Sequence, residues 1–200
     1  YIFDVSSQME RKNPVAAIRA FRQAALPRDA AMLVLKYTNA SFDAGGVRRL
    51  HEEAAGLNVL MLDGFLDRAD LCALINAADC YLSPHRSEGF GMTILEAMSL
   101  GKPAIGTAYS APLDFMTPEN SYPIDCTLVP LGRKYGPYPA DAMWAEPDIA
   151  HAARLIREVV EHRDDAAARG ARARADVERD RNPAVTGRAM RARLEAIQRG

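Results

Sequence analysis

Short apolar runs alternate with helix-forming segments along the first half of this chain, and that alternation constrains the fold more than any other feature. Tyr1–Val5, Leu33-Val34-Leu35, Asn58–Leu62, Cys80–Ser83 and Pro103–Thr107 have the brevity and apolar character of buried strands. Between them, Asn13-Pro14 opens a helix that sets Val15, Ile18, Phe21 and Ala25 on one face. A looser segment interrupted by Gly45-Gly46 becomes helical near Val47–Ala55. Ala69–Ala78 and Thr93–Leu100 follow, the last stopped by Gly101. This spacing predicts an α/β fold, a Rossmann-like parallel sheet with helices on both faces. Ligands of such sheets bind outside the carboxyl ends of the strands. That rule singles out the loops after Val5, Leu62, Ser83 and Thr107. The proline-rich stretch 108–146 reads as irregular, and from about Pro147 a helical, arginine-rich extension runs to the end.

Two hundred residues suit one domain, and 48% hydrophobic residues supply a real core, which excludes global disorder. A net charge of -1 gives no general reason to expect nucleic acid. No apolar run is long enough to span a bilayer, and no signal peptide is evident. Lys12, Lys36, Lys102 and Lys134 are the only lysines, so each carries more information than usual. Cys72, Cys80 and Cys126 form no CxxC pair and are odd in number. They read as small core residues in a cytosolic protein rather than as disulfides or zinc ligands. The chain starts at Tyr1, directly in a strand-like run, as expected of a piece cut from a longer protein.

Chemistry concentrates in Ser87-Glu-Gly-Phe-Gly-Met-Thr-Ile-Leu-Glu96. Gly89 and Gly91 let the backbone turn tightly and bring N–H groups close to a ligand. The helix start behind them carries partial positive charge and unpaired donors, which together suit a phosphate. Glu88 and Glu96 flank the turn. Carboxylates do not bind phosphate but accept hydrogen bonds from hydroxyls. The pattern therefore suggests a ligand with sugar on both sides of a diphosphate. A plainer reading stands beside it: Thr93-Ile-Leu-Glu96 has the spacing of a capping box, in which Glu96 would satisfy the Thr93 N–H.

The segment PHRSEGFGMTILEAMSLGKPAIGT, with ERKNP at Glu10–Pro14 and AAD at Ala77–Asp79, resembles the nucleotide-sugar-dependent glycosyltransferases of family 4. Leu113–Asn120 and Trp144-Ala-Glu-Pro147 are similar to one bacterial branch of that family. The resemblance covers Phe3 to about Ala175 and is to the carboxyl-terminal, donor-binding half of the two-domain GT-B fold. It implies that Glu96 binds ribose hydroxyls and that Glu88, the catalytic candidate, lies by the donor sugar. It further implies that the backbone at Gly89, Phe90, Gly91, Met92 and Thr93 meets sugar and diphosphate, and that Lys12 contacts the diphosphate. Many members carry an arginine about six residues before that lysine. Ser6 stands there in this chain, and Arg11 is the candidate substitute. The base is expected near Gly64, Phe65 and Leu66, where Phe65 could equally be core. His85-Arg86 is open between a phosphate-binding and a structural role. Asp114 reads as a turn residue.

The resemblance implies transfer of a sugar from a nucleoside diphosphate to an acceptor hydroxyl, with retention, in bacterial polysaccharide assembly. No cofactor or metal is expected. The acceptor site is expected on an amino-terminal domain that residues 1–200 lack. Two alternatives remain. One is a related enzyme of the same fold, a sugar-nucleotide epimerase or phosphorylase. The other is a non-catalytic nucleotide-sugar-binding or assembly module. Twelve arginines against eight acids from His151 onward add an alternative of peripheral contact with the inner, anionic membrane face. A dinucleotide oxidoreductase lacks support, because no GxGxxG follows the first strand.

Overall fold

The computed structural model describes residues 1–199. Six short strands form two parallel three-stranded sheets. The first holds β1 (Ile2–Asp4), β2 (Leu33–Thr38) and β3 (Val59–Asp63) in that order. The second holds β4 (Tyr81–Ser83), β5 (Ala104–Thr107) and β6 (Tyr122–Ile124). Side chains join the two sheets at β1 and β4. The Tyr81 hydroxyl lies 3.3 Å from the Ile2 nitrogen, and the Tyr1 ring meets the Tyr81 ring edge-on at 6.4 Å. The helices are α1 (Met9–Lys12), α2 (Pro14–Ala24), α3 (Ala44–Ala54), α4 (Arg68–Ala77) and α5 (Met92–Ser99), followed by α6 (Ile149–Glu161), α7 (Arg163–Asp180) and α8 (Pro183–Gln198). The α/β class, the parallel strands and the helical carboxyl-terminal part are those the sequence predicts.

Local chemistry explains most element ends. Asp67, Asp148 and Asn182 accept a backbone N–H at the starts of α4, α6 and α8. Asn13 does not do the same for α2. It sits in the left-handed region at φ 57, closes α1 through its own N–H to Met9, and leaves its side-chain nitrogen without a partner. The buried face of α2 is Ala17, Ile18, Ala20 and Ala24, with Val15 and Phe21 only half-buried and Ala25 exposed. Small residues on this face let α6 pack closely on it. Helix α3 starts at Ala44, earlier than the sequence predicts, because Asp43 caps the Gly46 N–H at 2.8 Å.

Residues 108–146 are not irregular. They contain β6 and a long hairpin of β7 (Cys126–Pro130) and β8 (Met143–Pro147). Proline obscured both. Pro123 is tolerated because β6 is an edge strand, and Pro130 ends β7. The core runs through Leu35, Ile18, Ile94, Met98, Ile105, Tyr122 and Ile124, all buried. By contrast α8 buries no residue and exposes Met190, Leu194 and Ile197. No described helix is long and apolar enough to cross a membrane.

Candidate functional site

The loops after β1 and β4 meet at the carboxyl ends of the strands. The Arg86 N–H donates to the Arg11 carbonyl at 2.8 Å, which seats α1 against the loop that leads to α5. Gly91 is the residue before α5, at φ 86, and no side chain caps the helix. From Gly89 through Thr93, no backbone N–H has an acceptor among the described residues. Ile94 is the first to bond, to the Gly91 carbonyl at 3.0 Å. Five consecutive free donors at a helix start form a cradle for an anion.

Two cations stand beside that cradle. Lys12 Nζ lies 2.6 Å from Glu88 Oε1, and Arg11 Nη1 lies 3.4 Å from Glu88 Oε2. Arg11 also donates to the Ser87 carbonyl at 2.7 Å and to the Ser7 hydroxyl at 3.0 Å. It therefore crosses the loop in which Ser6 replaces the expected arginine. Ser6 itself is turned to Asp4, at 2.7 Å.

Glu96 does not form a capping box. Thr93 lies inside α5, the residue before the helix is Gly91, and the Glu96 carboxylate pairs instead with Arg68 Nη1 at 2.6 Å. The capping spacing in the sequence is fortuitous, because the helix starts one residue before Thr93. Arg68 opens α4, directly after the β3 loop. Glu96 thus faces the same side of the molecule as Gly64, Phe65 and Leu66. Phe65 is 87% exposed, which removes it from the core. Phe90 and Met92 are also exposed, with Phe90 against Phe115 at 5.8 Å.

The contacts of Lys36, and the hairpin as the partner of Arg86, escaped the sequence. Lys36 is buried mid-strand in β2, and its amine donates to the carbonyls of Tyr37 and Gly64, holding the β3 loop in place. Burial lowers its pKa. Arg86 is a brace and not an open phosphate ligand. Its guanidinium pairs with both oxygens of Glu146, at 2.5 and 3.0 Å, donates to the Glu10 carbonyl and lies over Trp144. The hairpin reaches the same loop a second time, through Arg133 and Glu10. Only the lone Trp144 and its acidic neighbour could have signalled this in the sequence.

His85 is fully buried, with Nδ1 3.0 Å from the Ser83 carbonyl and Nε2 unpartnered. Burial holds its pKa below the ordinary 6.5. The unfolded chain then takes up this proton first as pH falls, so stability is lost as pH drops below about 6.5. The melting temperature should fall on acidification through that range. A His85→Asn variant, though less stable overall, should show a flatter slope there. An identical slope would mean that His85 does not titrate. Burial also pushes the Cys80 thiol up to about 12, which leaves it protonated and unreactive at neutral pH. Among the described residues no three His, Cys, Asp or Glu side chains converge to hold a metal.

An α/β domain with a helix-start anion cradle, two flanking cations and a carboxylate at either end is suited to a phosphorylated, hydroxyl-rich ligand. The chain belongs to the family of glycosyl transferases group 1, whose sequence profile matches residues 1–127. No curated protein sequence matches it. Solved structures share its fold. Anabaena HepE, crystallised with UDP and glucose, is 18% identical at a TM-score of 0.71, over 94% of this chain and 45% of that one. Sucrose-phosphate synthase from Thermosynechococcus elongatus is 18% identical at 0.67, over 95% and 43%. WaaG, a glycosyltransferase involved in lipopolysaccharide biosynthesis, is 21% identical at 0.59, over 88% and 42%. The chain therefore spans less than half the length of each of these structures.

Proposed function

We propose that this chain is the donor-binding half of a retaining glycosyltransferase that transfers a sugar from a nucleoside diphosphate to an acceptor hydroxyl in glycan assembly. The observation that carries the reading is the row of five free amides at the start of α5, with Lys12 and Arg11 beside it. Glu96 would accept hydrogen bonds from the ribose, the β3 loop at Gly64–Leu66 would border the base, and Glu88 would face the sugar. As the anomeric carbon–oxygen bond breaks, its electron pair moves onto the departing diphosphate. Preorganised amides and cations stabilise that charge without reorganising. The new bond forms from the acceptor oxygen, whose proton passes to the departing diphosphate and whose site belongs to an amino-terminal domain of the same protein. No cofactor or metal is part of this reading. That HepE was crystallised with UDP-glucose supports a nucleotide-sugar ligand.

Calorimetry with UDP, GDP and ADP tests the reading: one of them should bind, and a folded chain giving no heat with any would refute it. Glu96→Ala should weaken that nucleotide about 10- to 100-fold. This is the loss expected for hydroxyl hydrogen bonds to a carboxylate worth roughly 1.5–3 kcal/mol. Its melting temperature should barely move. Arg68 is exposed, so solvent screens its pair with Glu96 and the pair contributes little to stability.

A further inference from the structure

The anion cradle already has an internal anion next to it. Glu88 is the one side-chain partner of the Lys12 amine among the described residues. The pair is nearly dry, with 16% of the lysine side chain and 11% of the glutamate exposed, so water screens it little. Arg11 cannot swing away, because its guanidinium is also held by Ser87 and Ser7. The Glu88 backbone is pinned as well, its carbonyl accepting from the Ser110 hydroxyl at 2.9 Å. The Glu88 carboxylate itself is held only by the two cations, at 2.6 Å by Lys12 and at 3.4 Å by Arg11. A second anion arriving at Lys12 competes with it, because two anions on one ammonium repel each other at close range.

We propose that Glu88 is a specificity-determining residue that discriminates against bare nucleoside diphosphate by competing with it for Lys12. The inference rests on the donor-site reading. A displaced carboxylate in this nearly dry loop needs new donors. The sugar of an intact donor offers hydroxyls to it, whereas a spent diphosphate offers none. The product therefore binds against a penalty that the substrate avoids, and Glu88 helps to expel it.

The test measures UDP, GDP and ADP on residues 1–200 by calorimetry. The nucleoside diphosphate that binds the wild-type chain should bind Glu88→Gln about tenfold tighter, because the carboxamide keeps the shape but gives up the competing charge. Glu88→Ala, measured in parallel, should show a gain in the same direction, so that a folding defect in one variant does not decide the result. In a Lys12→Gln background the gain from Glu88→Gln should shrink to about twofold. Unchanged or weaker binding in both Glu88 variants, with wild-type binding intact, would overturn this inference alone. An equal gain with and without Lys12 would also overturn it. Absence of wild-type binding to all three nucleotides would overturn the donor-site reading and the inference with it.

Discussion

Replacing Gly91 with valine should abolish measurable nucleotide binding and lower the melting temperature by about 6–12 °C. At φ 86 a residue with a Cβ costs roughly 1–2 kcal/mol, and a β-branched one costs more. The new Cβ would also stand 3.0 Å from the Pro112 ring and 3.4 Å from Phe115, neither of which can easily retreat. A total of about 3 kcal/mol corresponds to the stated shift for a domain of this size. Binding fails for a separate reason. Gly91 sets the direction in which the Met92 and Thr93 amides point, and relief of strain turns them out of the cradle. Gly89→Ala is the control. A Cβ there meets nothing within 4 Å and the backbone is not left-handed, so stability should hold while the methyl group obstructs the cradle. Wild-type affinity in a destabilised Gly91→Val would place the ligand elsewhere.

Removing the Arg86 side chain should cost about 2 kcal/mol and loosen two segments at once. Its guanidinium is 20% exposed and Glu146 39%, so the pair is worth more than a surface contact and less than a buried one. The lost stacking on Trp144 and the abandoned Glu10 carbonyl add to the cost. Hydrogen exchange should then rise in the hairpin of β7 and β8 and in residues 8–12, with little change in α6 and α7. Nucleotide affinity should drop several-fold, because Arg11 and Lys12 lose the segment that seats them. Arg86→Lys retains the charge but neither the fork nor the stack and should recover only part of the loss. Faster exchange confined to the hairpin would reduce Arg86 to a local support.

The elements legible in the sequence are those whose cause is local. Strand brevity, helical periodicity and the stop at Gly101 are written within ten or so residues. The elements placed wrongly are those in which a neighbour overrode a local signal. Prolines at 123 and 130 disguised β6 and β7 because sheet-edge position, invisible in a linear chain, is what makes proline acceptable there. Asn13 had the type of a helix cap but occupies a left-handed position between two helices. Thr93 and Glu96 had the spacing of a capping box, but α5 begins before Thr93 and the tertiary partner Arg68 draws the carboxylate away.

By itself, the sequence determined that Gly89 and Gly91 precede a helix start and that two carboxylates bracket them, since both facts depend only on residues adjacent along the chain. It determined the α/β class in the same way, through the periods of its apolar residues. Tertiary structure alone decided what each charged group faces. Lys12 and Glu88 are 76 residues apart, Arg68 and Glu96 are 28 apart, and Arg86 and Glu146 are 60 apart. Ion pairs of this kind form only after strands, helices and hairpin have been packed. Their partners are chosen by the shape of the core, which no short stretch of sequence contains.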